Sequence, residues 1–307
     1  MADGWVQISG NPEPDGLAVR KLTGAGGKAF RVGFAPADGA RGTLAILPGR
    51  TECIEKYFEV ARDVQAMGFA VALIEPRGQG LSDRLAANPV AGHVDDFAFA
   101  AADVAQAVGE LAEQPKPLIV LGHSAGGGVV LRALLDGLIA PRAAIFCAPL
   151  WGLKLPPGAE MVAKAEVAMG LKEAFLPTVP TRAGPERFEG NQLTTDPRRH
   201  ARANALLVAE PALGMAGPTA GWLVEALEMC ARFTPDTVAR LPIPVLTLVA
   251  GLEKLVDPDA ARTLTEAMPQ GRVAEFAGGL HELLMERDEI RAEVMGEIAA
   301  FLDQAAG

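Results

Sequence analysis

The stretch PLIVLGHSAGGGVVLRALLDG, residues 117–137, decides the architecture. It runs from an apolar burst, through Gly-His-Ser-Ala-Gly, into helical spacing. A strand that breaks into a helix through glycines, with one serine at the pivot, makes a nucleophile elbow. Gly122 and Gly126 leave room where a Cβ would meet the neighbouring chain. The backbone at Ser124 is expected to carry about 1–3 kcal/mol of strain. Such a turn lifts the Ser124 hydroxyl above the sheet edge. It also aims the following helix N-terminus, with the Ala125 amide, at a developing oxyanion. The chain holds only Ser9, Ser82 and Ser124 against 34 glycines, so an incidental turn rarely produces this pattern. No Gly-Lys-Ser/Thr follows, which sets aside a phosphate-binding loop.

Outward from the elbow, apolar runs alternate with helical ones. Residues 42–49, 69–76, 117–123, 143–149 and 243–251 read as buried strands. Residues 54–68, 95–114 and 126–137 read as helices, the second capped by Asp95 or Asp96. Near-continuous apolar strands alternating with helices imply an α/β fold, a mostly parallel central sheet covered on both faces. WVQISG (5–10) and KAFRVGFAP (28–36) are candidates for an antiparallel edge. The alternation stops over residues 151–235, which are helical in pattern and punctuated by Pro and Gly. The expected organisation is a discontinuous core, 1–150 and 236–307, with a helical insertion, 151–235, between two late strands.

A serine hydroxyl needs a base. In proteins built on this elbow the chain order is Ser, acid, His. His281 is the histidine that lies late enough, in a loop freed by Gly278 and Gly279. His123 is expected to point away from Oγ and pack. His200 reads as a solvated helix face, and His93 sits in a loop with no assigned role. The acid should follow the strand at 243–251, where Glu253 and Asp257 both stand in reach. Asp257 precedes Pro258 and a helical run, the signature of an N-cap. Glu253 is therefore the expected acid and Asp257 the alternative. The second oxyanion donor should come from the loop after the strand at 42–49, through the main-chain N–H of Arg50 rather than its guanidinium.

With 307 residues and a formal net charge of −10, the chain has ample core and no basic footprint for nucleic acid. Its start shows neither a basic n-region nor an apolar h-region, and no apolar run reaches membrane-spanning length. Cys53, Cys147 and Cys230 are too scattered for a disulfide framework or a metal site, which points to a cytoplasmic, reduced protein. No metal or organic cofactor is expected.

The segments LPGRTECIEKY (47–57), EPRGQGLSDR (75–84), GHSAGG (122–127), CAPLWGL (147–153), FEGNQLTTDP (188–197), GLEKLVDP (251–258) and GGLHELLMERDEIR (278–291) together resemble an α/β-hydrolase. The similarity is to its lysophospholipase and monoacylglycerol-lipase branch, sometimes grouped with serine aminopeptidases. The resemblance implies Ser124 as nucleophile, His281 as base, and the Arg50 and Ala125 amides as oxyanion hole. It implies that the insertion is a cap roofing an acyl pocket. Two positions depart from the family pattern: Pro48-Gly49 stands for its usual His-Gly, and Glu253 for its usual aspartate. Arg77 and Ser82 match a motif read as structural.

The resulting expectation is a serine carboxylic-ester hydrolase acting through an acyl-enzyme on lysophospholipids or monoacylglycerols. The partner is a small acyl ester or monoacyl lipid, with transient membrane contact through the cap. Alternatives on the same fold are a non-lipid carboxylesterase, a small-peptide aminopeptidase and a non-catalytic ligand-binding relative. A haloalkane dehalogenase or epoxide hydrolase would need a carboxylate where Ser124 stands.

Overall fold

The computed structural model describes residues 4–177 and 179–307. Its strands are β1 (Ala18–Thr23), β2 (Ala29–Ala35), β3 (Thr43–Leu47), β4 (Ala70–Glu75), β5 (Leu118–His123), β6 (Ala143–Cys147), β7 (Val245–Ala250) and β8 (Gly271–Phe276). They form one sheet in the order β1-β2-β4-β3-β5-β6-β7-β8. β1 and β2 run antiparallel to their neighbours, and the rest are parallel.

The central strands are nearly all apolar because both of their faces are covered. Every residue of β3 to β7 is buried, whereas β1 and β8 at the edges are mostly half-buried or exposed. Successive residues of β5 point to opposite sides. Leu118 and Val120 join a core with α2 (Phe97–Gly109), α3 (Ala125–Leu135) and α8 (Pro258–Ala267). Ile119 and Leu121 join another with α1 (Phe58–Ala66) and the terminal α9 (Asp288–Ala306).

Between β6 and β7 the chain makes α4 (Ala159–Ala168), α5 (Pro197–Ala209), α6 (Ala220–Ala231) and the short α7 (Pro235–Val238). α6 lies against α2, with Trp222 edge-on to Phe97 at 6.1 Å between ring centroids. Among the described residues no helix is long and apolar enough to cross a membrane.

The edge departs from expectation. KAFRVGFAP does form antiparallel β2, but its partner is β1 and not WVQISG. Residues 5–10 lack strand pairing, and buried side chains hold the backbone at Gly4 and Val6. Val6 N–H donates to Glu55 at 3.1 Å, and Arg31 donates to Gly4 O at 3.0 Å. Arg31 itself is held between Glu55 and Glu75, all three fully buried.

Candidate active site

β5 ends at His123 and α3 begins at Ala125, so Ser124 is the whole turn. Its φ of 50° and ψ of −121° lie where side chains are strained. Neighbouring glycines let the backbone stay there. A Cβ on Gly126 would stand 2.4 Å from Leu47 O, and one on Gly122 2.7 Å from Gly127 Cα. The Ser124 N–H donates to Cys147 O at 3.0 Å, which ties the turn to the next strand.

His281 reaches the serine from the loop after β8, its Nε2 2.8 Å from Ser124 Oγ. Its Nδ1 lies 2.7 Å from Glu253 Oε2. A carboxylate only accepts, so Nδ1 carries the proton and Nε2 faces the hydroxyl as acceptor. The other oxygen of Glu253 accepts from the N–H groups of Lys254, Leu255 and Val256 at 2.9, 2.8 and 3.3 Å. Burial pushes the Glu253 carboxyl up, but His281 and these amides outweigh it, and the net shift is down. Glu253 is thus held as an anion beside the imidazole. Asp257 stands elsewhere, capping α8 through the Asp259 N–H at 3.0 Å.

The loop after β3 brings Arg50 beside Ser124 and Ala125 on one cavity wall. Neither the Arg50 nor the Ala125 N–H has an acceptor among the described residues. Gly49, by contrast, donates its N–H to Glu52 at 2.6 Å, and the Tyr57 hydroxyl donates to the same oxygen at 2.6 Å. Lys56 lies between Glu52 and Glu282, at 2.9 and 2.5 Å. Burial alone would raise the Glu52 carboxyl, yet Lys56, His123 and Tyr57 bring it down to about 2.

Ser124, His281, Arg50, Glu52 and Glu282 line a cavity of about 560 Å³ that continues between Leu153, Val162, Leu176 and Trp222. A pocket that is mostly apolar, with a few convergent polar groups, suits an acyl chain bearing one reactive carbonyl.

Several features of the site escape local sequence reading. His123 is more than packing. It donates Nδ1–H to Cys147 O at 3.1 Å, its ring lies 5.0 Å from His281, and it lines the cavity. His200 is buried against Phe188, 5.4 Å between centroids, rather than solvated, because the chain at 186–188 folds back over α5. Glu286, fully buried, accepts from Leu280 N–H at 2.8 Å and also from Thr195. Glu282 N–H donates to Leu193 O at 2.8 Å. The NQLTTDP stretch therefore braces the His281 loop. Its one sequence clue was the run of polar residues Thr194 and Thr195 just ahead of a capping Asp196. Arg77 pairs with Asp103 of α2 at 2.5 Å, and the Ser82 hydroxyl donates to Glu75, so both hold the loop after β4.

A family model described as serine aminopeptidase, S33, matches residues 38–288. The chain is 30% identical over 280 residues to lysophospholipase L2 of Escherichia coli (strain K12), covering 85% of this chain and 80% of that protein. It is 28% identical over 279 residues to a probable lysophospholipase L2 of Haemophilus influenzae, covering 90% and 88%. A solved soluble variant of monoglyceride lipase from Saccharomyces cerevisiae, in complex with a substrate analog, shares the fold. Its TM-score is 0.76 at 17% identity, over 97% of this chain and 98% of that one.

Proposed function

This chain belongs to the serine aminopeptidase S33 family, and from that premise we propose that it hydrolyses the acyl ester of monoacyl lipids, lysophospholipids or monoacylglycerols. One observation carries the reading: the unbroken path from Glu253 through His281 to Ser124 Oγ opens into a largely apolar cavity.

The chemistry follows from the proton path. As Ser124 Oγ bonds to the ester carbonyl carbon, its proton passes to His281 Nε2. The carbonyl electron pair collects on oxygen, facing the N–H groups of Arg50 and Ala125. Glu253 steadies the imidazolium without taking its proton. Collapse expels the glycerol-side oxygen, which takes the proton from His281, and the acyl group remains on Ser124. Water then gives a proton to His281 and attacks the acyl carbon. The fatty acid leaves as Oγ recovers its hydrogen.

Residues 151–235 act in this reading as the cap over the acyl pocket. Met161, exposed at the cavity mouth, and the nearby exposed Met169 and Leu171 are where the cap would meet a membrane. Cys53, Cys147 and Cys230 are all unpaired, in keeping with a cytoplasmic setting.

A fluorophosphonate probe should label the protein, and Ser124→Ala should abolish labelling and lower kcat by more than about a thousandfold. Turnover measured over lysolipids, monoacylglycerols, short esters and peptide amides should be fastest with the monoacyl lipids. Faster cleavage of peptide amides would overturn the reading.

A further inference from the structure

The cavity wall carries a charge that ester hydrolysis leaves unused. Arg50 enters the chemistry above through its main-chain N–H, while its guanidinium lies further along the wall. Nη1 donates to Ala216 O at 3.0 Å, and Cζ stands 5.6 Å from the Trp222 ring. Among the described residues no carboxylate is within ion-pair distance, and Glu186 acts only from further away. Burial lowers the group to about 10. A half-buried cation without a counter-charge is costly unless something else compensates it.

Arg84 makes the contrast plain. It too is half-buried without a carboxylate, but its fork is occupied by the carbonyls of Gly78, Gly80, Ala212 and Gly214. Among the described residues Arg50 has one carbonyl, and its guanidinium lies beside Trp222, which lines the same cavity. The other cations near the wall differ from Arg50 in kind and place. Lys56 is paired with two carboxylates, Glu52 and Glu282, and Lys154, an ammonium, donates to the main-chain carbonyl of Glu253 at 3.0 Å. In a chain of net charge −10, the uncommitted guanidinium at the cavity runs against the overall sign.

We propose that the Arg50 guanidinium reads the phosphate of a monoacyl phospholipid and so favours it over a neutral monoacylglycerol; this rests on the monoacyl-lipid reading above. In such a lipid a glycerol unit and a phosphoester oxygen separate the scissile carbonyl from the phosphate. Arg50 spans a like interval, with its N–H at the carbonyl end and its planar fork at the tip of a long side chain. A guanidinium matches phosphate oxygens in pairs, as an ammonium does not.

The test compares kcat/KM for palmitoyl lysophosphatidylglycerol, palmitoyl lysophosphatidylcholine and 1-palmitoylglycerol in the wild type, Arg50→Met, Arg50→Lys and Lys154→Met. Fluorophosphonate labelling checks that Ser124 stays reactive. Arg50→Met should lower the phospholipid-to-monoacylglycerol ratio about ten- to hundredfold, the loss of a charge-assisted hydrogen bond. Arg50→Lys should restore part of it. Equal loss on all three substrates would overturn the inference, leaving the side chain as a brace for its loop. So would a wild type that prefers the monoacylglycerol, or a selective loss that follows Lys154→Met instead. If Arg50→Met fails to label, Arg50→Lys decides by the same ratio, and a change below about twofold overturns the inference. A wild type that cleaves short esters but neither lipid class would overturn the monoacyl-lipid reading itself, and this inference with it.

Discussion

The turn that carries Ser124 and the helix α5 that carries Arg199 are held by different forces. Around the turn everything is packed backbone: β5 is buried throughout, and Gly126 nearly touches two carbonyls of the neighbouring chain. α5 buries only His200 and Leu206. It is attached through charge, with Arg199 and Arg202 on Glu59 of α1, and Arg198 and Arg199 on Asp288. The difference teaches where each property can be built. A strained φ survives only where packing over-determines the chain. Ion pairs near the surface are weak and screened, and they let a segment be held without being locked.

The sharpest way to break the comparison lies on the rigid side, at the two carboxylates after β7. Glu253→Gln should lower kcat by about a hundred- to ten-thousandfold, because an amide cannot hold the imidazole in the same tautomer. Asp257→Asn should stay within about threefold, since asparagine caps a helix as well as aspartate. Steady-state kinetics on one ester substrate checks both, and the reverse ranking would reassign the acid.

Next in size is a pair of glycine substitutions. Gly126→Ala forces a methyl to within 2.5 Å of Pro48 O, nearer still to Leu47 O, and should cost about 1–3 kcal/mol of stability and displace Ser124. Gly296→Ala in α9 meets nothing within 4 Å and should add about 0.5–1 kcal/mol. Denaturant melts of the two variants measure the contrast directly.

The smallest effect concerns acid. Burial raises the Glu59 carboxyl, but hydrogen bonds from Arg199 and Arg202 outweigh it and lower it from its ordinary 4.5 to about 2. A carboxylate depressed on folding contributes stability that is fully present above about pH 4.5 and fades as pH falls toward 2. Amide exchange in α5 should therefore accelerate over that window relative to α3. Glu59→Gln should remove the pH dependence, and high salt should flatten it. Equal acceleration in both helices would erase the distinction between the two regions.

Much of the core was legible because its signals are local. Apolar runs of strand length, glycines around Ser124 and a proline after Asp257 each report on neighbours a few positions away. The N-terminal residues 5–10 misled because they look like an edge strand, yet buried Glu55 takes the Val6 N–H and buried Arg31 the carbonyl of Gly4 just before them. His200 reads as solvated from its helix, and only the returning chain at Phe188 buries it. The chain of Glu52, Lys56 and Glu282 joins residues 226 apart at its longer link, and no spacing rule reaches that far.

By itself the sequence determined the alternation of strand and helix, the turn at residue 124 and the cap on α8, since these depend on steric and hydrogen-bond preferences of adjacent residues. Only the folded chain decided that Glu253 rather than Asp257 faces His281, that NQLTTDP braces the histidine loop, and that the Arg50 guanidinium lies between Ala216 and Trp222. Those contacts join segments whose separation along the chain says nothing about their meeting. Sheet order and loop closure set it, and both are properties of the whole packed molecule.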